Sequence, residues 1–336
     1  MPVVTSAGIS GTHDEAKVKA PGVVTGRYGT VGQVYYVTED FWPHNTTLFV
    51  KDFKGNDPQF ASYLLRTINF LSCSDKSGVP GVNRNHLHLI KVRVPSPHQQ
   101  RAIASVLGAL DDKIDLNRRM NVTLEALAQA IFKSWFVDAA AIKLPKGWRA
   151  GTLGELVELR ADRVEATPAK DKERYIALED MPSKSIDLSN HQLGSAVNSS
   201  IIRFQAGDIL FGSMRPYFHK VGLASFDGIT RTTTFVLRPK QDCLRHFALF
   251  YFFSNEVVEF ATTASVGTTI PYVKWDSLGR YKIVLPPESL LEEFENAVAP
   301  LVQLIARNGD ESRTLAELRD ALLPKLLSGE LRVPVK

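Results

Sequence analysis

Clusters of basic, aromatic, amide and hydroxyl side chains lie in segments of this 336-residue chain that glycine or proline interrupts. Arginine and lysine contact phosphates, and arginine, amide, hydroxyl and aromatic groups on exposed loops can contact bases. The alternative is that these are turn residues and solvated charges, and both interpretations stay open. The candidate side chains are Arg27, Tyr28, Thr30, Asn83, Arg84, Asn85, His86, Ser213, Met214, Arg215, Tyr217, His219, Lys220, Arg231, Thr232, Thr233, Tyr272 and Lys274.

Three glycines, Gly26, Gly29 and Gly32, surround the first cluster. Glycine lets a backbone approach a ligand closely, so a binding loop is expected here. The G-x-x-G-x-x-G spacing differs from the G-x-G-x-x-G fingerprint of dinucleotide sites, and no clear βαβ pattern with an acidic residue follows. The segment therefore predicts a binding loop that is not a nucleotide site.

The sequence carries no pattern that assigns catalysis. It has no phosphate-binding G-x-x-x-x-G-K-[ST] segment, no G-x-S-x-G nucleophile elbow and no [ND]-P-P-[YFW] methyltransferase motif. His86 and His88 would share one side of a strand without enough neighbouring ligands for a metal. Asp111, Asp112 and Asp115 are expected on a solvated helix face or in a subunit contact. No catalytic residue and no metal ligand is predicted.

Composition and charge favour a globular protein with two basic modules. Hydrophobic residues make up 44%, and the net charge is +4. Residues 1–96 and 144–287 each carry a net +3, whereas residues 288–336 carry −3. The two cysteines, Cys73 and Cys243, exclude a disulfide scaffold. No membrane span or signal peptide is recognised, so a cytoplasmic protein without membrane contact is expected.

An internal duplication organises the chain. Residues 82–117 align without gaps with residues 273–308 at an offset of 191, which pairs Pro95 with Pro286 and Asn117 with Asn308. Upstream, residues 45–50 match residues 231–236 at an offset of 186. A spacing this long indicates a duplicated domain rather than a solenoid repeat.

Each copy begins with short strand-like runs and ends in a strand, LIKVRVP or YKIVLPP, before a long helix. The first helix, over residues 98–138, would span about 60 Å at ~1.5 Å per residue. Pro300 and Asn308-Gly309 are expected to kink or interrupt the second. Alternating four- and three-residue spacing predicts a coiled-coil seam. Its apolar residues are Ile103, Leu107, Leu110, Ile114, Leu124, Ile131, Phe294, Val298, Leu301, Ile305, Leu315 and Leu322.

The predicted architecture is α+β, with two mixed-sheet globules at opposite ends of two antiparallel helices. The first globule covers residues 1–96 and the central helix 97–143. The second globule covers 144–287 and the C-terminal helix 288–336. Two independent domains with private helices are the alternative, but each would expose a long apolar seam.

At this level the sequence resembles the specificity (S) subunits of type I restriction-modification systems, over nearly the whole chain. The individual motifs are loose, but their order and duplication are distinctive. The segments that carry the resemblance are the Gly26–Gly32 turn, DFWPHNTTLFV, SGVPGVNRNHL, VRVPSPHQQRAIASVLGALDDKIDLN, LEALAQAIFKSWFVD, LPKGWRAGTLGELVE, GTTIPYVKWDSLGRYKIVLPP and LAELRDALLPKLLSGELRVP.

The resemblance implies that each globule is a target recognition domain that reads one half of a gapped site in double-stranded DNA. It implies that the helices set the half-site separation and dock two adenine methyltransferase subunits, which two restriction subunits can join. The chain itself would be non-catalytic and hold no cofactor, and the partner subunits would bind S-adenosylmethionine and ATP with magnesium. The polar clusters above then become candidate DNA contacts.

The first copy departs from the family pattern. By the offset of 186, Met1 corresponds roughly to Ile186, so the first copy lacks a counterpart of about 40 residues that include the GWRAGTLGE segment of the second. This puts first-half recognition in doubt. The alternative function is an S-like subunit that binds the methyltransferase but reads one half-site.

Overall fold

The structure is a computed structural model that describes residues 1–73, 81–142, 144–164, 171–197 and 200–334. Contacts divide the chain into two compact units, Met1–Lys113 with Leu315–Lys336, and Ile114–Thr314. The division falls inside both long helices. Both units combine sheets with helices, which confirms the predicted α+β class.

The described part of the first unit contains two small sheets. In one, β1 pairs antiparallel with β2 and parallel with β5, and in the other the central β3 pairs antiparallel with β4 and β6. The elements are β1 (Pro2–Thr5), β2 (Gly8–Thr12), β3 (Gly22–Gly26), β4 (Val34–Val37), β5 (Trp42–Pro43), β6 (Thr47–Phe49), α1 (Pro58–Arg66), α2 (Arg84–Leu89) and the start of α3 (Pro97–Phe132).

Among its described residues, the second unit has three sheets, with strand orders β11-β10-β15-β12-β9, β14-β13-β16-β8 and β17-β7. The elements are α4 (Ala139–Ile142), β7 (Arg149–Thr152), α5 (Leu153–Leu156), β8 (Val157–Arg160), β9 (Arg163–Val164), β10 (Arg174–Ile176), β11 (Gln192–Leu193), β12 (Ile201–Phe204), β13 (Ile209–Gly212), β14 (Val221–Leu223), β15 (Gly228–Arg231), β16 (Thr234–Pro239), α6 (Arg245–Phe253), α7 (Asn255–Thr263), α8 (Trp275–Leu278), β17 (Lys282–Leu285) and α9 (Glu288–Ser328).

The duplication is visible in the backbone. The central strands β3 and β13 each pair with two antiparallel neighbours at equivalent sequence positions. Isolated bridges join Tyr28 to Gly81 in the first unit and Met214 to Tyr272 in the second, again at offsets of 186 and 191. The first residue of the bridge aligns at the offset of 186 and the second at 191, which are the two offsets that align the sequence copies. The two units are therefore copies of one fold.

The predicted strand LIKVRVP is wrong, whereas the strand in YKIVLPP is confirmed as β17. A strand forms only when another strand takes up its N–H and C=O groups. β17 pairs with β7 along its full length. Within the described residues no strand pairs with residues 91–94, and they form no regular secondary structure.

The first long helix is α-helical only to Phe132. Lys133–Asp138 forms a π-helical segment, and α4 follows. The wider turn carries Phe136 into the core of the second unit, where its ring lies 4.8 Å from Phe247 and 4.9 Å from Phe294 between centroids. Trp135 packs 6.0 Å from Phe294. Both aromatic residues lie at the junction of helix and globule.

The second long helix is continuous, so the interruption expected at Asn308-Gly309 is wrong, and α9 also continues through Pro300. A Cβ on Gly309 would lie 2.5 Å from Ser189 Oγ and 2.6 Å from both carboxylate oxygens of Asp187. Gly309 therefore allows another segment to approach the helix and does not end it.

Within the second unit, α3 and α9 run antiparallel around a buried polar cluster. Asn117 Nδ2 donates to Asn308 O at 3.3 Å and to Ser312 Oγ at 3.3 Å, and Asn308 Nδ2 donates to Asn121 Oδ1 at 2.9 Å. Asn117 is equivalent to Asn308 and Asn121 to Ser312 at the offset of 191. The cluster therefore maps onto itself when the two helices are exchanged.

Within the first unit, an ion pair between side chains joins the same two helices. Arg319 Nη1 donates to Asp111 Oδ1 at 2.6 Å, and Tyr63 Oη and Arg66 Nη1 donate to Asp111 Oδ2. Burial would raise the pKa of Asp111, but the hydrogen bonds from Arg319 and Tyr63 and the charge of Arg66 outweigh it and hold the pKa low. Asp111 therefore makes a structural contact rather than lying on a solvated face.

The residues of the predicted seam differ in burial. Six are buried: Ile103, Leu107, Ile114, Phe294, Val298 and Ile305. The other six are half-buried: Leu110, Leu124, Ile131, Leu301, Leu315 and Leu322.

Candidate nucleic-acid interface

In the first unit, four candidate residues line one open groove of about 460 Å³ beside β6. Arg27 is exposed, and its guanidinium lies 4.9 Å from the centre of the Tyr28 ring. Asn83 and Arg84 form the other side of the groove. The two segments are held together by the hydrogen bond that Val82 N donates to Arg27 O. The fold thus joins two clusters that are more than 50 residues apart in sequence.

The glycines of this loop serve the chain's own packing. A Cβ on Gly26 would lie 2.0 Å from Thr30 O, and Gly29 and Gly32 have φ of 81° and 93°. At Gly26 the close backbone contact is therefore with Thr30 of the same loop, where a contact with a ligand was expected. The glycines allow a tight turn that exposes Arg27.

The second cluster of the first unit lies on a helix, so the strand expected for His86 and His88 is wrong. Asn83 caps α2 by accepting a hydrogen bond from Asn85 N. Arg84, Asn85 and His86 follow on the exposed first turn. Within the described parts of the chain, no group of His, Cys, Asp or Glu side chains could hold a metal ion.

In the second unit, the loop after β13 is built on two left-handed residues, Arg215 with φ 49° and His219 with φ 51°. They enclose a 3-10 turn, Pro216–Phe218, that turns Tyr217 and Phe218 outward. The two rings lie 4.7 Å apart and are 50% and 43% exposed. Exposed neighbouring aromatic rings are unusual in a loop that only connects strands, and they offer a surface for bases.

Arg215 is fixed at its backbone, where its N–H donates to Pro271 O at 2.8 Å. Its side-chain Nε is buried and has no hydrogen-bond partner within the described residues. A buried donor without an acceptor is costly. The Arg215 side chain as a whole is half-buried, and its backbone is held by Pro271.

Three candidates of the same loop are used internally, and the structure does not present them to a ligand. Ser213 is buried and donates from Oγ to Thr233 O. His219 is buried against Phe253 O at 2.8 Å, and burial lowers its pKa. Lys220 Nζ donates to Leu178 O at 2.6 Å. These side chains hold the loop rather than extend from it.

The other candidates adjoin this loop. Arg231 ends β15, Thr232 is exposed, and Thr233 receives the bonds from Ser213. Tyr272 is 44% exposed and forms backbone bridges to Met214 and Val266. Lys274 is exposed at the start of α8.

Sequence reasoning missed several neighbours of the loop. Lys184 is exposed, and its N–H donates to His219 O. Thr268 and Thr269 are exposed in a turn that the Val266 bridge to Tyr272 closes. Their signal was the GTTIP segment, in which two hydroxyl residues stand between turn formers. The equivalent of the GTTIP segment in the first unit, residues 76–80, lies outside the described residues.

The chain matches the family model described as "Type I restriction modification DNA specificity domain" over residues 1–126 and 145–300. The chain belongs to this family. The two matched stretches begin in the two copies that the duplication defines, so each copy carries one specificity domain.

The specificity-domain relatives are distant. The chain is 27% identical over 290 residues to the type I restriction enzyme MjaIX specificity subunit of Methanocaldococcus jannaschii, covering 77% of this chain and 65% of that protein. It is 22% identical over 327 residues to the HindI specificity subunit of Haemophilus influenzae, covering 75% and 71%. The chain thus spans somewhat less than two thirds of the length of the first relative.

Among solved structures, the fold is similar to the crystal structure of a type I restriction-modification S subunit from M. genitalium. The TM-score is 0.63 at 15% identity, over 97% of this chain and 88% of that one. At this identity the likeness concerns the fold. In the described part of the chain, no helix is long and apolar enough to cross a membrane.

Proposed function

We propose that this chain is the DNA-reading subunit of a type I restriction-modification complex. Each specificity domain contacts one half of a gapped site in double-stranded DNA. The chain docks two adenine methyltransferase subunits and two restriction subunits, and these partners bind S-adenosylmethionine and ATP with magnesium. The chain itself catalyses nothing.

One observation carries this proposal: the same strand-turn element occurs twice, and each turn presents basic and aromatic side chains. In the first unit these are Arg27 and Tyr28, and in the second Arg215 and Tyr217. Guanidinium groups bind phosphates and guanine edges, and rings pack on bases and sugars. Two copies on one chain fit a two-part site better than a continuous one.

The proposal is tested by footprinting the assembled methyltransferase complex on its methylated target. Two protected patches separated by an accessible gap are expected, because two modules contact the DNA. A single continuous patch would contradict the two-module account.

A second candidate function is that only the second unit reads DNA. It is favoured by residues 91–94 of the first unit, which pair with no strand among the described residues, whereas their counterparts in the second unit form the β17-β7 pair. A footprint with one patch that Arg215→Ala abolishes and Arg27→Ala leaves unchanged would support this candidate.

A further inference from the structure

In the second unit, residues 183–187 form a linking segment that contacts the loop after β13 at one end and helix α3 at the other. Ser183 and Lys184, at the first end, are exposed. Ile186, at the second end, is buried, and so are Met181 and Leu188 on either side of the segment. The buried side chains anchor the segment in the core, while its first end lies at the surface beside the loop.

The first end of the linking segment is hydrogen-bonded to the loop. Ser183 Oγ donates to Phe218 O at 2.7 Å, and Lys184 N donates to His219 O at 2.9 Å. Lys184 has a left-handed backbone with φ 54°, as His219 has with φ 51°. A residue other than glycine keeps this conformation only where its surroundings hold it. The two bonds therefore fix the backbone directly after Tyr217.

The second end is hydrogen-bonded to α3 through Glu125. One carboxylate oxygen, Oε2, accepts from Ile186 N at 3.0 Å and from Ser185 Oγ at 3.1 Å. The other, Oε1, accepts from Gln129 Nε2 at 3.3 Å. Glu125 is 7% exposed, and its burial raises the pKa of the carboxyl although the two bonds from the linking segment lower it. The segment is thus held by a buried side chain of the helix.

Further contacts hold the same end. Asn121 Nδ2 on α3 donates to Asp187 Oδ2 at 3.5 Å, and Leu223 N donates to Ile186 O at 3.2 Å. On α9, Gly309 leaves room for the Asp187 carboxylate. The linking segment therefore connects the helices of the second unit to the loop after β13.

We propose that Glu125 is a positioning residue for the DNA contacts of the second unit. It holds the linking segment, and the linking segment holds the backbone of the loop that carries Arg215 and Tyr217. A side chain that reads a base must be kept within about 0.5 Å of its productive position by the groups behind it. This inference rests on the proposed function, since it requires that this loop contacts DNA.

The test measures DNA binding by the assembled complex on a cognate duplex and on duplexes with one mismatched half-site. For Glu125→Ala, the ratio of mismatched to cognate Kd should fall at least about fivefold at one half-site, the one that Arg215→Ala also alters. The ratio at the other half-site should stay unchanged. Glu125→Gln should keep both wild-type ratios, because an amide oxygen can accept the same two hydrogen bonds.

A second measurement does not involve DNA. Amide hydrogen exchange at Lys184 and Ile186 in the full chain should quicken at least about tenfold in Glu125→Ala and stay near the wild-type rate in Glu125→Gln. Glu295→Ala is the matched control, because it removes a carboxylate of the same unit that binds His246 instead. It should leave both half-site ratios unchanged even where it destabilises the fold.

Ser183→Ala tests the other end of the linking segment and keeps the test decisive if Glu125→Ala does not fold, since Ser183 is exposed. It should lower the ratio at the same half-site. Wild-type ratios in both Glu125→Ala and Ser183→Ala, or equal losses in Glu125→Ala and Glu295→Ala, would overturn the positioning role alone. A wild-type complex that discriminates at neither half-site would instead refute the proposed function, and the positioning role with it.

Discussion

At the residue scale, the proposed DNA contacts of the second unit centre on Arg215 and Tyr217. Arg215 is held by its backbone, its Nε is buried with no hydrogen-bond partner among the described residues, and two left-handed residues turn Tyr217 outward. The sequence pattern indicated both residues. It could not separate them from Ser213 and His219, whose burial depends on Thr233 and Phe253, distant in sequence.

Arg215→Ala should weaken specific DNA binding by the assembled complex by about 1–3 kcal/mol, with relaxed specificity at one base if the guanidinium reads that base. Fluorescence anisotropy on cognate and mismatched duplexes measures both effects. Arg307→Ala removes an equal charge from an exposed site on α9 and serves as the control. Equal losses for the two variants would show that Arg215 contributes only general charge.

Burial raises the pKa of the Asp187 carboxyl, which faces α9 beside Gly309. Because the folded-state pKa lies above the unfolded one, the ionised carboxylate destabilises the fold at neutral pH. This cost disappears as the pH falls through the folded pKa towards the unfolded value. Asp187→Asn should therefore stabilise the protein most at neutral pH.

Thermal unfolding from neutral to acidic pH checks this dependence. The gain in Tm for Asp187→Asn should shrink as the pH falls, and Asp112→Asn, at an exposed site on α3, is the control. A gain that grows towards acidic pH would contradict the assignment.

At the element scale, the two long helices were largely predictable. Their apolar spacing predicted both helices, and α3 and α9 begin at Pro97 and Glu288, where the predicted helical segments 97–143 and 288–336 begin. The π-helical turn and the continuity of α9 were not predictable. Both depend on what packs against the helix, namely Phe247 beside Phe136 and Asp187 beside Gly309. The strand predicted at 89–95 does not form for a related reason: a strand needs a partner strand to pair with.

Gly309→Ala should destabilise the second unit by about 1–3 kcal/mol, because the added methyl overlaps Ser189 and Asp187. Helix propensity alone predicts the opposite sign, a gain of about 1 kcal/mol. Urea unfolding therefore distinguishes the two effects by sign. The exposed substitution Arg307→Ala on the same helix should change stability little, and a stabilised Gly309→Ala would refute the close contact.

Ile114→Asp should destabilise the helix pair by several kcal/mol, because it buries an unpaired charge between α3 and α9. Leu116→Asp is matched in chemistry, but Leu116 is 45% exposed, so it should be nearly neutral. Circular dichroism and co-purification with the methyltransferase subunit measure folding and assembly. Comparable losses for both variants would argue against a buried seam at Ile114.

At the scale of the whole molecule, the duplication was readable from sequence and is confirmed by equivalent strands, bridges and helices. The copies also differ in structure. The second unit contains β7, β8 and the Trp148 contact, whereas the first has a groove and, at residues 91–94, a segment that pairs with no strand among the described residues. In the sequence, this difference is seen only as a stretch of the second copy without a counterpart in the first. Its effect on the fold depends on which side chains become neighbours in the structure.

The most direct test of the account is the adenine methylation motif written in cells that express this chain with its methyltransferase subunit. Long-read sequencing should show one motif of two specified parts separated by a gap of unspecified bases. Changing Arg215 should alter only one of the two parts, because each unit reads its own half-site. A continuous motif, or one in which Arg215→Ala alters both parts alike, would contradict the two-module account.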